Sequence, residues 1–286
     1  MKYITKIKAN LSVYAKKKTS NILEGAYNSI YKGKSMNFED LREYVIGDNV
    51  KDIDWKASAR SDKILIKQYI AEKKHNVLFI LDTGRKMLAD TKELEPKKDV
   101  ALMAMGTIGY LVEKHGDSIS AIYKGKERIK YFPFRSGLYN LERILCSYEK
   151  EISQESNLED LIKYVLKLIK RKMIIFVITD IDGMKNISEG TLKKLSLLHD
   201  VMFMNISDAF MTGHSAFDID QDNYIPDYIL EDEKLKEIEL KIKTTIYEET
   251  KEKFKKYKIV TTTMNRQKDI VNDVFKLLEK QKLKSR

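Results

Sequence analysis

The chain has 286 residues, 43% hydrophobic and 34% charged, with a formal net charge of +10. That balance excludes a disordered polymer and leaves a globular protein long enough to bury a sizeable core. A single cysteine, Cys146, rules out an internal disulfide, and His75, His115, His199 and His214 are too widely spaced for a zinc motif.

Both features fit a reducing cytoplasm, and a cytoplasmic protein is expected. The longest apolar stretches, 76–82 and 173–180, fall well short of the roughly 20 residues that a bilayer span needs. The first residues alternate charged and apolar side chains, without the apolar run of a signal peptide.

Residues 1–34 carry eight lysines against Glu24 alone. Ile4, Ile7, Leu11 and Tyr14 fall at helical spacing opposite lysines, which predicts an amphipathic helix. The pattern favours packing of that helix on its own domain. The other reading places it on an anionic membrane surface or on nucleic acid. Gly33-Lys34-Ser35 is not a phosphate loop, because Asn28 stands where the loop needs glycine and no apolar strand precedes it. Asp62 with Glu72-Lys73-Lys74 has the residue types of a Mg²⁺ nuclease, but a lysine-rich chain produces such pairings by chance. Residues 63–72 read as an exposed or edge strand. Residues 1–75 are therefore set apart as an N-terminal helix and elaboration, and 76–286 as the main domain.

From residue 76 the pattern alternates strand and helix. The run 76–82 is an apolar strand of the kind covered on both faces. Residues 97–114 carry apolar residues at helical period. Residues 118–125 and 127–134 flank Gly125 as a hairpin. Amphipathic helices are expected over 137–152 and 157–172, and buried strands over 173–180 and 200–208. A long charged helix is expected over 231–256, a last strand over 257–264 and a closing helix over 266–281. Buried strands joined by helical crossovers predict an α/β fold with a doubly wound, mostly parallel sheet.

Two carboxylates stand out. Asp82 and Asp180 each end an apolar strand, and in a doubly wound sheet both strand ends reach one edge, where such folds place their ligand chemistry. Converging carboxylates call for a cation between them; alternatively each caps the helix that follows. No nucleophile–base pair accompanies them, so an enzyme is not expected.

The stretch from Asp82 to Asp180 is similar to a von Willebrand factor A-type domain, whose metal-ion-dependent adhesion site reads Asp-x-Ser-x-Ser, a later threonine, then strand–Thr-Asp. Upstream, Phe38, Arg42, Tyr44, Gly47, Asp48, Ile53, Asp54, Trp55, Ser58, Ala59 and Arg60 stand in the order and spacing of one bacterial group, the domain of unknown function 58 family. The resemblance is clear over about 22–182. It implies a von Willebrand A-like fold with an N-terminal elaboration, in a short soluble form. It also implies a non-enzymatic adaptor or assembly role beside a MoxR-type AAA+ ATPase, acting on an unknown protein client.

The chain departs from the family at the metal. Gly84 and Lys86 occupy the two serine positions, and by position Ser136 stands in for the threonine. Mg²⁺ wants octahedral oxygen ligands. A degenerate adhesion site is therefore expected, with no cofactor, in which the Lys86 ammonium takes the cation's place between Asp82 and Asp180. The alternative leaves Lys86 and Arg85 in solvent. In the signature, Arg42, Asp48, Asp52, Asp54 and Arg60 are expected to form an ion-pair network docking the N-terminal part on the sheet, with Tyr44 and Trp55 as core. The different-class alternative is a Mg²⁺-dependent enzyme or nucleic-acid binder using the basic termini.

Overall fold

A computed structural model of the chain describes residues 1–15, 25, 27, 40–68, 74–153, 158–212, 217–218 and 223–284. Phe38, the 33–35 stretch and residues 69–72 of the expected edge strand lie outside the described residues, as does the Tyr14 side chain.

In chain order the strands are β1 (Asp40–Glu43), β2 (Leu65–Gln68), β3 (Asn76–Leu81), β4 (Ser118–Lys124), β5 (Ile129–Arg135), β6 (Ile174–Asp180), β7 (Asp200–Ile206), β8 (Phe217–Asp218), β9 (Asn223–Tyr224) and β10 (Val260–Met264). Six of them form the main sheet in the order β10-β7-β6-β3-β4-β5, parallel throughout except for the antiparallel edge strand β5. This is the doubly wound, mostly parallel α/β sheet that the sequence pattern predicts. The winding reverses between β3 and β6, so the carboxyl ends of these neighbours border the crevice where such sheets bind.

Strand β3 shows why both faces must be covered. Val77, Phe79 and Leu81 point into one core and Leu78 and Ile80 into the other, and all are fully buried. Each such side chain contributes roughly 1.5–3 kcal/mol. The first core lies under the helices Lys2–Ala15, Lys97–Lys114, Leu138–Glu149 and Ile270–Lys284. The second lies under Leu158–Leu168, Glu189–Leu198 and the last turn of Glu233–Lys256, where Phe254 stacks edge-on against Phe203.

The N-terminal helix belongs to the sheet domain. Tyr3, Ile4 and Ile7 are buried in the first core, and Ile7 rests on Gly106, where a Cβ would collide with it. Glu142 caps the helix, accepting the Tyr3 and Ile4 N–H groups at 3.0 and 2.9 Å. The boundary at residue 75 therefore separates only the signature segment from the sheet, not the helix.

The signature segment forms a small lobe. Strand β1 pairs antiparallel with β2, and Ile53 bridges to Ile66. Arg42 makes a two-pronged ion pair with Asp48, both bonds 2.7 Å, and Asp54 caps the turn Trp55–Ser58. Gly47 has φ of 111°, the left-handed conformation that glycine tolerates, in the turn that brings Asp48 back to Arg42. Among the described residues of this lobe only Ile66 is buried. The expected core role of Trp55 does not hold, since it is 66% exposed, and Tyr44 is half-buried. Among the described residues, two four-residue strands supply no second layer to cover them. The Arg42–Asp48 pair closes a turn within the lobe, and Arg60 is exposed.

Candidate functional site at the carboxyl edge

Leu81 pairs with Ile178, so Asp82 emerges level with Thr179, and Asp180 lies one residue further along. Asp82 is 4% exposed and Asp180 3%. Asp82 Oδ1 accepts the Gly84 N–H at 2.8 Å, and Oδ2 accepts the Thr179 hydroxyl at 2.6 Å. The Asp82 carbonyl accepts the Tyr148 hydroxyl at 2.8 Å. Burial, then the nearby Asp82 charge, hold that phenol well above its ordinary pKa. Asp180 caps the helix Ile181–Lys185, with Oδ1 accepting the Gly183 N–H at 3.0 Å. Gly183 is required by contact: a Cβ there would overlap the Thr179 hydroxyl and approach Asp82 Oδ2 to 2.9 Å.

The cation at this site is Lys97. Its side chain is 1% exposed, and Nζ bonds Asp180 Oδ2 at 3.0 Å and pairs with Asp208 beyond β7. Burial alone would lower its pKa. The Asp180 and Asp208 charges outweigh burial, and the ammonium is held above its ordinary range. The loop after Asp82 delivers Lys97. It runs through the single turn Arg85–Leu88, bridges Asp90 to Pro96, and returns so that the Lys97 N–H bonds the Ala89 carbonyl at 2.9 Å. Lys98 follows at the helix start. Its ammonium bonds the Glu151 carbonyl at 2.9 Å and lies 3.6 Å above the centre of the Tyr148 ring. Burial, opposed by Asp82, pulls its pKa down to about 7.

The two remaining expectations at the site are corrected. Lys86 is exposed and bonds Asp182 Oδ2 at 2.5 Å, so the buried ammonium on Asp180 is that of Lys97. Ser136 lies at the opposite edge. It follows Arg135, which pairs with Ile119 at the start of β4, because β5 runs antiparallel and carries the chain back to the amino end. The hydroxyl that reaches the Asp82 loop is that of Ser153, buried after the helix Leu138–Glu149. Its N–H bonds the Thr83 carbonyl at 2.7 Å, and its hydroxyl lies 3.2 Å from that of Thr83. Thr83 in turn donates to the Lys124 carbonyl at 2.5 Å.

Reading from sequence missed Lys97, Lys98, Ser153, Thr179, Gly183 and Asp208. One signal for the lysines was available. A helix N-terminus repels cations, yet this helix opens with Lys97-Lys98. Two lysines in a first turn call for local carboxylates. Chemically, the site is a set of buried charges held by their neighbours, with the Thr179 hydroxyl bonded to the Asp82 carboxylate and the Lys97 ammonium to Asp180.

Among the described residues no helix is long and apolar enough to cross a membrane. Curated relatives include the uncharacterized proteins Mb1516 of Mycobacterium bovis and Rv1480 of Mycobacterium tuberculosis, each 22% identical over 202 residues, 69% of this chain. The matched region spans 63% of those relatives' own length. Among solved structures, similarity extends to an aerotolerance-related membrane protein from Bacteroides fragilis, with 13% identity and a TM-score of 0.44 over 72% of this chain and 99% of that one. It extends also to a von Willebrand factor type A protein from Catenulispora acidiphila, with 9% identity and a TM-score of 0.42 over 76% of this chain and 44% of that one. The model of the family described as protein of unknown function DUF58 matches residues 40–211, more than half of the chain, and the chain belongs to that family.

Proposed function

We propose that this protein is a non-enzymatic interaction adaptor or assembly factor that works with a MoxR-type AAA+ ATPase on a protein client. In this reading its carboxyl edge is an adhesion-type site closed by a lysine in place of a metal ion. The observation that carries the reading is the Lys97 ammonium, buried between Asp180 and Asp208.

The residues at this edge do not fit Mg²⁺. That ion wants about six oxygen ligands at ~2.1 Å. Gly84 offers no side-chain oxygen, and Lys86 brings a positive charge. The two Asp82 oxygens accept protein hydrogen bonds, and Asp180 is bonded to an ammonium. Among the described residues no three His, Cys, Asp or Glu side chains gather as a metal ion would need. An ammonium fixed by charge-assisted hydrogen bonds holds the loop and neutralises the crevice without a dissociable ion. Partner recognition then proceeds without a bridging metal. The MoxR-type partner rests on the family resemblance.

The test is binding of the purified full chain to a MoxR-type ATPase from the same genome, by biolayer interferometry with and without EDTA. The ATPase's own Mg²⁺–nucleotide requirement is removed by using its nucleotide-free form. Saturable binding that EDTA does not alter supports the reading. Absence of binding, or binding that EDTA abolishes, overturns it.

A further inference from the structure

A cleft of about 390 Å³ opens beside the Asp82 loop, between the β4–β5 turn and the end of the helix Leu138–Glu149. Lys126, Arg128, Lys130 and Lys150 line it against Glu127 and Glu151. Its walls are tied to the candidate site at two points: the Lys124 carbonyl takes the Thr83 hydroxyl, and the Glu151 carbonyl takes the Lys98 ammonium.

The charge in this cleft is unbalanced. Lys130 pairs with Glu151 and, with support from Lys126, holds that carboxyl below its usual range. Glu127 is exposed on the turn. Lys126, Arg128 and Lys150 are exposed too, and no ion pair among the described residues engages them. The turn is held tight by the Gly125 N–H on the Arg128 carbonyl at 2.9 Å. A Cβ at Gly125 would lie 3.0 Å from both that carbonyl and Glu151 Oε2, a contact tighter than ordinary packing. A fixed turn that presents more cations than carboxylates around a recess attracts anionic groups and steers their approach.

We infer that this cleft receives a carboxylate-rich segment of the protein partner. The inference rests on the carboxyl edge being the protein-binding face, and it assigns that face its ligand chemistry. Nucleic acid is the poorer fit, because single strands bind over aromatic platforms and none of the lining residues is aromatic.

The experiment is fluorescence anisotropy with a labelled oligoglutamate peptide and the full chain, alongside an oligothymidylate of equal charge. The peptide is expected to bind saturably, and Lys126→Glu with Arg128→Glu is expected to weaken binding by about tenfold or more. Lys150→Glu provides a second, independent variant, and circular dichroism melts check that each remains folded. No saturable peptide binding, unchanged binding by both variants, or tighter binding of the oligothymidylate overturns the inference. The variants are also tested against the ATPase. If they lose the peptide but keep the ATPase, the cleft is not the partner contact and the adaptor reading survives. If the wild-type chain fails to bind the ATPase, the adaptor reading falls, while the peptide titration still decides the chemistry of the cleft.

Discussion

Replacing Lys97 by methionine keeps the aliphatic stem and removes only the ammonium. Asp180, 3% exposed, then loses its cation, and so does Asp208. Removing one partner of a buried ion pair costs roughly 3–5 kcal/mol, because the remaining charge is left uncompensated. The Asp208 side chain is 28% exposed and water takes up part of its charge, which places the loss near the lower end, about 3 kcal/mol. For a chain of this size that corresponds to roughly 6–12 °C in Tm. Urea titration followed by circular dichroism measures it as a shift in midpoint at constant slope. Adding Asp180→Asn and Asp208→Asn to Lys97→Met should recover most of the loss. Lys86→Met, which breaks an exposed pair, should cost less than about 1 kcal/mol. A Lys97→Met variant within about 1 kcal/mol of wild type, or a larger effect from Lys86→Met, would refute the assignment of Lys97 as the internal cation.

Gly183→Ala should destabilise the protein by about 1–3 kcal/mol, because the added methyl displaces the Thr179 hydroxyl from Asp82; a thermal melt unchanged from wild type contradicts that contact. His199 is buried, neither ring nitrogen has a hydrogen-bond partner among the described residues, and burial lowers its pKa from 6.5. The unfolded chain therefore binds the proton first, and the neutral ring's contribution is complete above about pH 6.5 and lost as the pH falls toward the lowered folded pKa. His199→Phe should flatten that acid limb in urea titrations between about pH 5 and pH 7.5, whereas an unchanged limb would assign the acid sensitivity elsewhere.

The parts of the fold that could be read from sequence are those governed by burial alone. The segments 76–82, 173–180 and 200–206 are apolar on both faces because both faces are covered, and their ends placed Asp82 and Asp180 at one edge. The helices Ile181–Lys185 and Glu189–Leu198 went unread because they are short and their apolar face is brief: the Asp180 and Ser188 caps start them, and Met184, Leu192 and Leu195 are what they bury in the second core. Ser136 was misplaced although the hairpin was read, because one antiparallel strand sends the chain to the far edge. Lys97 was missed because its role depends on a loop that folds back by way of the Ala89 carbonyl, a contact with no sequence period. Trp55 was taken for core because charges at fixed spacing beside aromatics suggested a docking network, but among the described residues no layer covers it and it is exposed.

The most direct test of the central claim is calorimetric titration of Mn²⁺ and Mg²⁺ into the wild-type protein and into Asp82→Asn. With the Lys97 ammonium on Asp180 and the Asp82 oxygens engaged by Gly84 and Thr179, the account predicts no saturable heat from either protein. Stoichiometric micromolar binding by the wild type that Asp82→Asn abolishes would contradict it and return a bridging metal to the recognition step.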